Sequence, residues 1–340
     1  MSIKELLLDA IMVKAFKAMS ESDDNEPDRS SLQKAAYDDF KSNHELVRQP
    51  NGKQRFKIPL TRLPNHLYPE KIDGINITKT TLARFSALEQ RLHTPRNKLL
   101  RDGEFERVTD LIDQGIIEEI GPWKEHSHIF EKEQEKGKEN LVLPWQVVLD
   151  AKKTSKHCKI RMCLDATETN KLIYKVDAQM PELAEMLIRW RTAKYWATLD
   201  IKQMFWSILT SNTDANMQHC VFRFDNNGIL MLYRMVRMVM GLSNSPGVSR
   251  LVLKELSTMF EMVYPLVSPI IDDATYMDDS TVLRETESEV CKKCGQLIEC
   301  LKEGSFETSK ALSDNKNILE NLPNEVIHPS LIERCNVCIK

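Results

Sequence analysis

No stretch of the chain is apolar for long enough to cross a bilayer, and none has the make-up of a secretory leader. The opening "MSIKELLLDAIMVKAF" sets Ile3, Leu6, Leu7, Ala10 and Ile11 at helical spacing, but charges interrupt it. The expectation is an intracellular, cytoplasmic protein with no membrane partner. Cysteine is sparse: eight in 340 residues do not make the dense framework of a small secreted domain, in keeping with a reducing compartment. Two CxxC pairs, Cys291 with Cys294 and Cys335 with Cys338, invite a zinc reading. Roughly forty residues separate them, against about 15–20 in the usual spacing. Val290, Cys294, Leu297 and Leu301 share one helical face, so Cys294 reads as a small core residue. Net charge is nearly absent too, and a formal −3 argues neither for nor against a polyanionic partner. No internal repeat is found, and 41% hydrophobic content excludes a chain disordered by composition.

Charge is segregated instead. Between Lys41 and Arg101 there are thirteen Lys or Arg against four Asp or Glu, a basic segment able to meet phosphates, while the stretch from Asp102 to Glu139 is acidic. "SESDDNEPDRS" at 20–30 reads as a linker after the first helix, and "EKEQEKGKEN" at 131–140 as an exposed connection. Between them "TTLARFSALEQRL" and "GEFERVTDLIDQGII" carry apolar residues at spacings of three and four, which predicts two helices. From "LVLPWQVVLD" at 141 onward short β-rich runs alternate with helices, so periodicity gives an α+β chain.

The second half holds the chemistry. "YWATLDIKQMFWSI" at 195–208 predicts a strand through Leu199 and Asp200, and an Asp ending an apolar strand is costly unless it meets solvent, a partner or a metal. "HCVFRFDNNGILMLYRMV" predicts two strands joined at Asn227-Gly228. "MGLSNSPGVSRLVLKEL" predicts a long amphipathic helix with Ser245 as N-cap and Pro246 at the first helical position. "ATYMDDSTVL" at 274–283 places Asp278 and Asp279 at the tip of a further hairpin. Adjacent ionised carboxylates repel unless a cation arrives, which points to a metal; a turn rich in Asp is the ordinary alternative. "IIDDA" offers a rival pair, Asp272 and Asp273, but its proline-broken approach assigns it to the surface end of that hairpin.

Strand with Asp, hairpin, capped helix, hairpin with Asp-Asp: in this order the sequence resembles the reverse transcriptases, and "YMDD" matches their catalytic hairpin residue for residue. "KIRMCLDATETNKL" resembles their fingers motif, "LDIKQMF" the first aspartate motif, and "MGLSNSP" the template-and-nucleotide motif. "LKEGSFETSKALSDNKNILENLP" at 301–323 resembles the segment after the hairpin, in a form typical of the BEL/Pao class of LTR retrotransposons. "RFKIPL", "ARFSALEQRL" and "LVLPWQVV" resemble that class's lead-in. The resemblance implies right-hand fingers and palm, the palm an antiparallel sheet backed by helices. Residues 1–40 would be an N-terminal helix and linker, 41–190 fingers and lead-in, 191–325 palm, and 326–340 a truncated tail. The chain stops at "ERCNVCIK" before the expected primer-grip strand, so the thumb is expected to be absent or incomplete.

The implied reaction is RNA-directed DNA synthesis with two Mg²⁺ ions, Mn²⁺ being a substitute, on an RNA or DNA template with primer and dNTPs. Other domains of a retroelement polyprotein would be partners, and virus-like particles a location. By this resemblance Asp200, Asp278 and Asp279 hold metal. Phe205 blocks a ribose 2′-hydroxyl, Arg161 binds the triphosphate, and Gly241 lets backbone approach nucleotide and template. Met240 stands where retroviral enzymes often have glutamine, which puts its nucleotide role in question. Lys310 matches the proposed proton donor to pyrophosphate. Lys152, Lys153 and Lys156 compete to be the fingers lysine. Two other readings stay open: a catalytically incompetent or domesticated remnant that binds nucleic acid, and an RNA-directed RNA polymerase, which would typically show Gly-Asp-Asp.

Overall fold

Strict alternation in "YWATLDIK" builds the central strand: Ala197, Leu199 and Ile201 are buried on one face, while Thr198, Asp200 and Lys202 point to the other. The computed structural model describes residues 29–149, 160–176, 181–225 and 228–328. The expected first helix, most of the 20–30 linker, Lys152, Lys153, Lys156, Asn227, Cys335 and Cys338 lie outside the described residues.

Strands in chain order are β1 (Glu45–Arg48), β2 (Gln54–Ile58), β3 (Lys71–Ile72), β4 (Ile117–Pro122), β5 (Gln134–Glu135), β6 (Trp145–Leu149) and β7 (Ile160–Leu164). They continue with β8 (Tyr195–Lys202), β9 (Leu209–Thr210), β10 (His219–Phe222), β11 (Met231–Met235), β12 (Thr275–Tyr276), β13 (Asp279–Arg284) and β14 (Glu307–Leu312). The longer helices are α1 (Arg29–Asn43), α2 (Gly74–Leu92), α3 (Lys98–Asp113), α4 (Leu183–Thr192), α5 (Ser245–Met259), α6 (Ser268–Ala274) and α7 (Glu287–Glu303). The fold is thus mixed α+β with several antiparallel sheets. The largest has the order β12-β13-β8-β14, every neighbour antiparallel. Helix α7 packs on its buried face through Val290, Cys294, Leu297, Ile298 and Leu301. Cys294 is wholly buried there, with its thiol pushed up to about 12 by burial.

Caps explain where helices begin. Asp73 accepts the Asn76 N–H ahead of α2, and Thr286 accepts the Glu289 N–H ahead of α7 while its hydroxyl donates to the Glu289 carboxylate. For α5 the expectation is off by one: Asn244 is the capping residue and Ser245 the first helical one. Neither bonds an N–H of the first turn; the Ser245 hydroxyl donates to the Val239 carbonyl, and the Asn244 amide donates to the Thr61 hydroxyl. The buried environment outcompeted the local cap.

Other expectations need correction for the same reason. Asp272 and Asp273 sit on α6, not on the hairpin, where Lys254 and Arg189 respectively pair with them. The 131–140 connection is not wholly exposed: Glu139 is buried and ion-paired to Arg62, and Gln134 is buried in β5. Arg29 and Ser30, inside the expected linker, already belong to helix α1. Val326 and Ile327 are buried, with Ile327 bridging Ala311 beside β14, so the tail is packed at its start.

Candidate active site

Register brings distant carboxylates together. Asp279 at the start of β13 stands directly opposite Asp200 on β8, and on the other side of β8 Ser309 stands opposite Asp200. Directly opposed antiparallel residues are about 4.5–5.5 Å apart. The Ile201 N–H donates to the Asp278 carbonyl at 2.7 Å, which ties the hairpin loop to the strand that carries Asp200. Met277, first residue of the two-residue loop, has φ 55°, a left-handed value that costs a non-glycine residue on the order of 1–2 kcal/mol.

The hairpin is anchored from beneath. Thr275 and Ser280, paired across it, are buried and share a hydrogen bond of 3.0 Å. Arg250, a buried residue of α5, donates to the carbonyls of Ile271, Thr275 and Asp272 at 2.9, 3.1 and 2.8 Å. Those carbonyls end α6 and open β12, so one guanidinium fixes where the hairpin starts. Nothing in the sequence distinguished Arg250; an arginine on the apolar side of an amphipathic helix was the only available signal.

The electrostatics are those of crowded carboxylates with one local counter-charge. Asp279 is exposed as a residue, yet partial burial of its carboxyl, then the charges of Asp278 and Asp200, push it above the usual range, against the opposing pull of Lys310. Asp200 Oδ2 accepts the Lys310 ammonium at 2.8 Å and the Ser309 hydroxyl at 2.9 Å. Lys310 itself has φ 53° at a bulge in β14, between Ser309 and Leu312, which turns its side chain back over Asp200. Among the described residues, no three Asp, Glu, His or Cys side chains are already gathered to hold a metal ion. The donor set still fits a hard divalent cation: three carboxylates in adjoining positions, one raised by partial burial and then by its neighbours' charge, and an ammonium in the counter-ion's place.

The other expected residues lie around this sheet. Phe205 is half-buried in a 3-10 turn, Met204–Ser207, directly after β8. Gly241 has φ 104°, and a Cβ there would stand 3.3 Å from the Leu164 carbonyl at the end of β7. Asn170 clamps this loop with both amide atoms, donating to the Gly241 carbonyl at 2.8 Å and accepting the Ser243 N–H at 2.8 Å. Asn170 was within a recognised motif but was not singled out. Met240 is exposed beside it. Arg161 is exposed on β7, opposite Val148 of β6. Asp200, Asp278, Asp279 and Lys310 therefore share one sheet, whereas Arg161, Met240 and Gly241 belong to the neighbouring hairpin and loop.

Residues 151–313 match the family described as Reverse transcriptase (RNA-dependent DNA polymerase). The chain carries a reverse transcriptase domain. The matched span holds every residue considered above as a site residue, from Arg161 to Lys310. No curated protein matches the chain. Among the described residues, no helix is long and apolar enough to cross a membrane.

Proposed function

We propose that this reverse transcriptase domain extends a primer with dNTPs on an RNA or DNA template, and that its catalytic centre is Asp200, Asp278 and Asp279. The observation that carries the reading is the β13–β8 register, which seats Asp279 against Asp200 and binds the Asp278 carbonyl to Ile201. Mg²⁺, or Mn²⁺ in its place, held by these carboxylates would supply Lewis-acid stabilisation of charge on the entering and leaving oxygens. Around it Lys310 moves a proton to the departing pyrophosphate, Arg161 binds the triphosphate, and Phe205 excludes a ribose 2′-hydroxyl. Gly241 lets backbone approach the nucleotide, with Asn170 holding its loop and Met240 at its rim. We assign residues 41–190 to fingers and lead-in and 191–325 to palm, and the sequence motifs favour a BEL/Pao-like element as the source.

Primer extension on an RNA template with dNTPs and Mg²⁺ or Mn²⁺ tests this. Asp278→Asn is expected to cut incorporation at least about 100-fold, and incorporation that survives it would remove the assigned chemistry. The Lys310 ammonium on Asp200 also suits a protein that keeps the fold without catalysis. That reading predicts salt-dependent binding of primer-template with no extension by either protein.

A further inference from the structure

Beside the catalytic strand lies a cavity of about 330 Å³ whose walls carry four cationic side chains, Lys53, Arg55, Lys202 and Arg237, and two carboxylates, Asp113 and Glu307. The walls therefore hold an excess of two positive charges. Glu307 is already committed: its two oxygens take Lys53 at 3.2 Å and Lys202 at 3.3 Å. Asp113 is solvent-exposed at the end of α3.

The two arginines spend donors on backbone carbonyls. Arg237 is 4% exposed, and it donates to the carbonyls of Gly115 at 3.1 Å and Trp206 at 3.3 Å. Arg55 reaches the carbonyls of Ser207 at 3.1 Å and Ser305 at 3.5 Å, and its Nε is buried with no partner. Carbonyl dipoles fill hydrogen bonds but carry no net charge; Arg55 is drawn to Glu307, which Lys53 and Lys202 already hold, so the two neighbouring guanidiniums keep an excess of positive charge. Burial, and then the neighbouring charge of Arg55, push Arg237 down to about 10.

The cavity also has a position. Lys202 and Glu307 are opposed in register two residues along from the Asp200–Ser309 pair, so they project from the same sheet face about 7 Å away. A ligand there adjoins the carboxylate centre without touching it. We propose that this cavity binds a small polyphosphate oxyanion of the pyrophosphate kind, seated between Arg55 and Arg237 with Lys53 at its mouth. Planar guanidiniums meet phosphate oxygens two at a time, and the cavity has room for a diphosphate and water. Its link to the reaction, as a way-station for the polyphosphate that enters or leaves, rests on the polymerase reading; the binding site itself does not.

The test uses the full chain in EDTA, with calorimetric titration and thermal melting in sodium pyrophosphate against sodium chloride at equal ionic strength. Saturable one-to-one binding and a raised Tm are expected, unchanged in Asp278→Asn. Arg55→Gln is expected to weaken binding more than tenfold and Lys53→Gln about threefold. Should Arg55→Gln fail to fold, Lys53→Gln carries the test, because its ammonium is half-exposed and its loss leaves the core intact. No saturable heat, equal binding in both variants, or binding that needs Mg²⁺ and vanishes in Asp278→Asn would each overturn the site. A failure of primer extension leaves this result standing, so the two readings fail separately.

Discussion

Lys310 occupies a place that a metal ion would contest. Its ammonium lies 2.8 Å from Asp200 Oδ2 and is about half-exposed, so the pair is worth little more than an ordinary surface ion pair. Lys310→Gln removes both a competitor and a positive charge from the carboxylates. Mn²⁺ affinity, measured by calorimetry without nucleic acid, is therefore expected to rise roughly two- to tenfold. Unchanged or weaker affinity would show that Lys310 does not compete for Asp200. The residue's motif was legible in the sequence, but its contact was not. That contact depends on a left-handed φ of 53° inside a strand, a conformation that nothing in the local sequence demands.

At the scale of elements, two joints decide where the site stands. Arg250 spans α5 and the end of α6, and Arg250→Met would leave three carbonyls without their donor. A loss of at least about 2 kcal/mol in denaturant unfolding is expected, together with faster amide exchange over residues 275–280. Exchange in the hairpin that stays slow while global stability falls would deny Arg250 its positioning role. The second joint is Gly247, where an added Cβ would stand 1.9 Å from the Val176 carbonyl oxygen. Backbone cannot yield as a side chain does, so Gly247→Ala is expected to cost about 1–3 kcal/mol in spite of its better helix propensity. A Tm that rises would mean α5 does not approach Val176 so closely. Helix α5 was legible as a helix and α6 was not; neither contact was, because a helical repeat specifies a face and leaves its partner open.

For the whole molecule, one contiguous core unites chain segments on either side of residue 190. Strand β4 pairs with β11, and β2 with β9. The basic segment at 41–101 is partly consumed in holding this core: Arg62 pairs with Glu139 and Asp214, and Arg84 with Asp165. Glu104 is 4% exposed, and burial, then the charge of Glu89, push its carboxyl up to about 7 against the pull of Arg91. A carboxyl raised in the folded state stabilises while protonated, so its contribution is full below about 4.5 and is lost as pH rises through about 7. The loss is on the order of 3 kcal/mol. Glu104→Gln is accordingly expected to raise Tm by a few degrees at pH 8 and much less at pH 5. A gain equal at both values would place the effect in packing instead of charge. His219, buried and pushed down to about 4, has the opposite sign and loses stability as pH falls from 6.5 through 4.

The sequence by itself determined the strand through Asp200, the hairpin bearing Asp278 and Asp279, the helices α2, α3, α5 and α7, and the presence of a reverse transcriptase domain. Each is written in short-range periodicity, turn chemistry and contiguous motifs, which neighbours along the chain enforce. Only the tertiary structure decided that Asp279 faces Asp200, that Lys310 covers it, that Arg250 anchors the hairpin, and that Glu139 and Asp214 take up Arg62. These are meetings between residues far apart in the chain, and what selects them is the burial of shared apolar faces, which fixes register and brings together charges that no local pattern pairs.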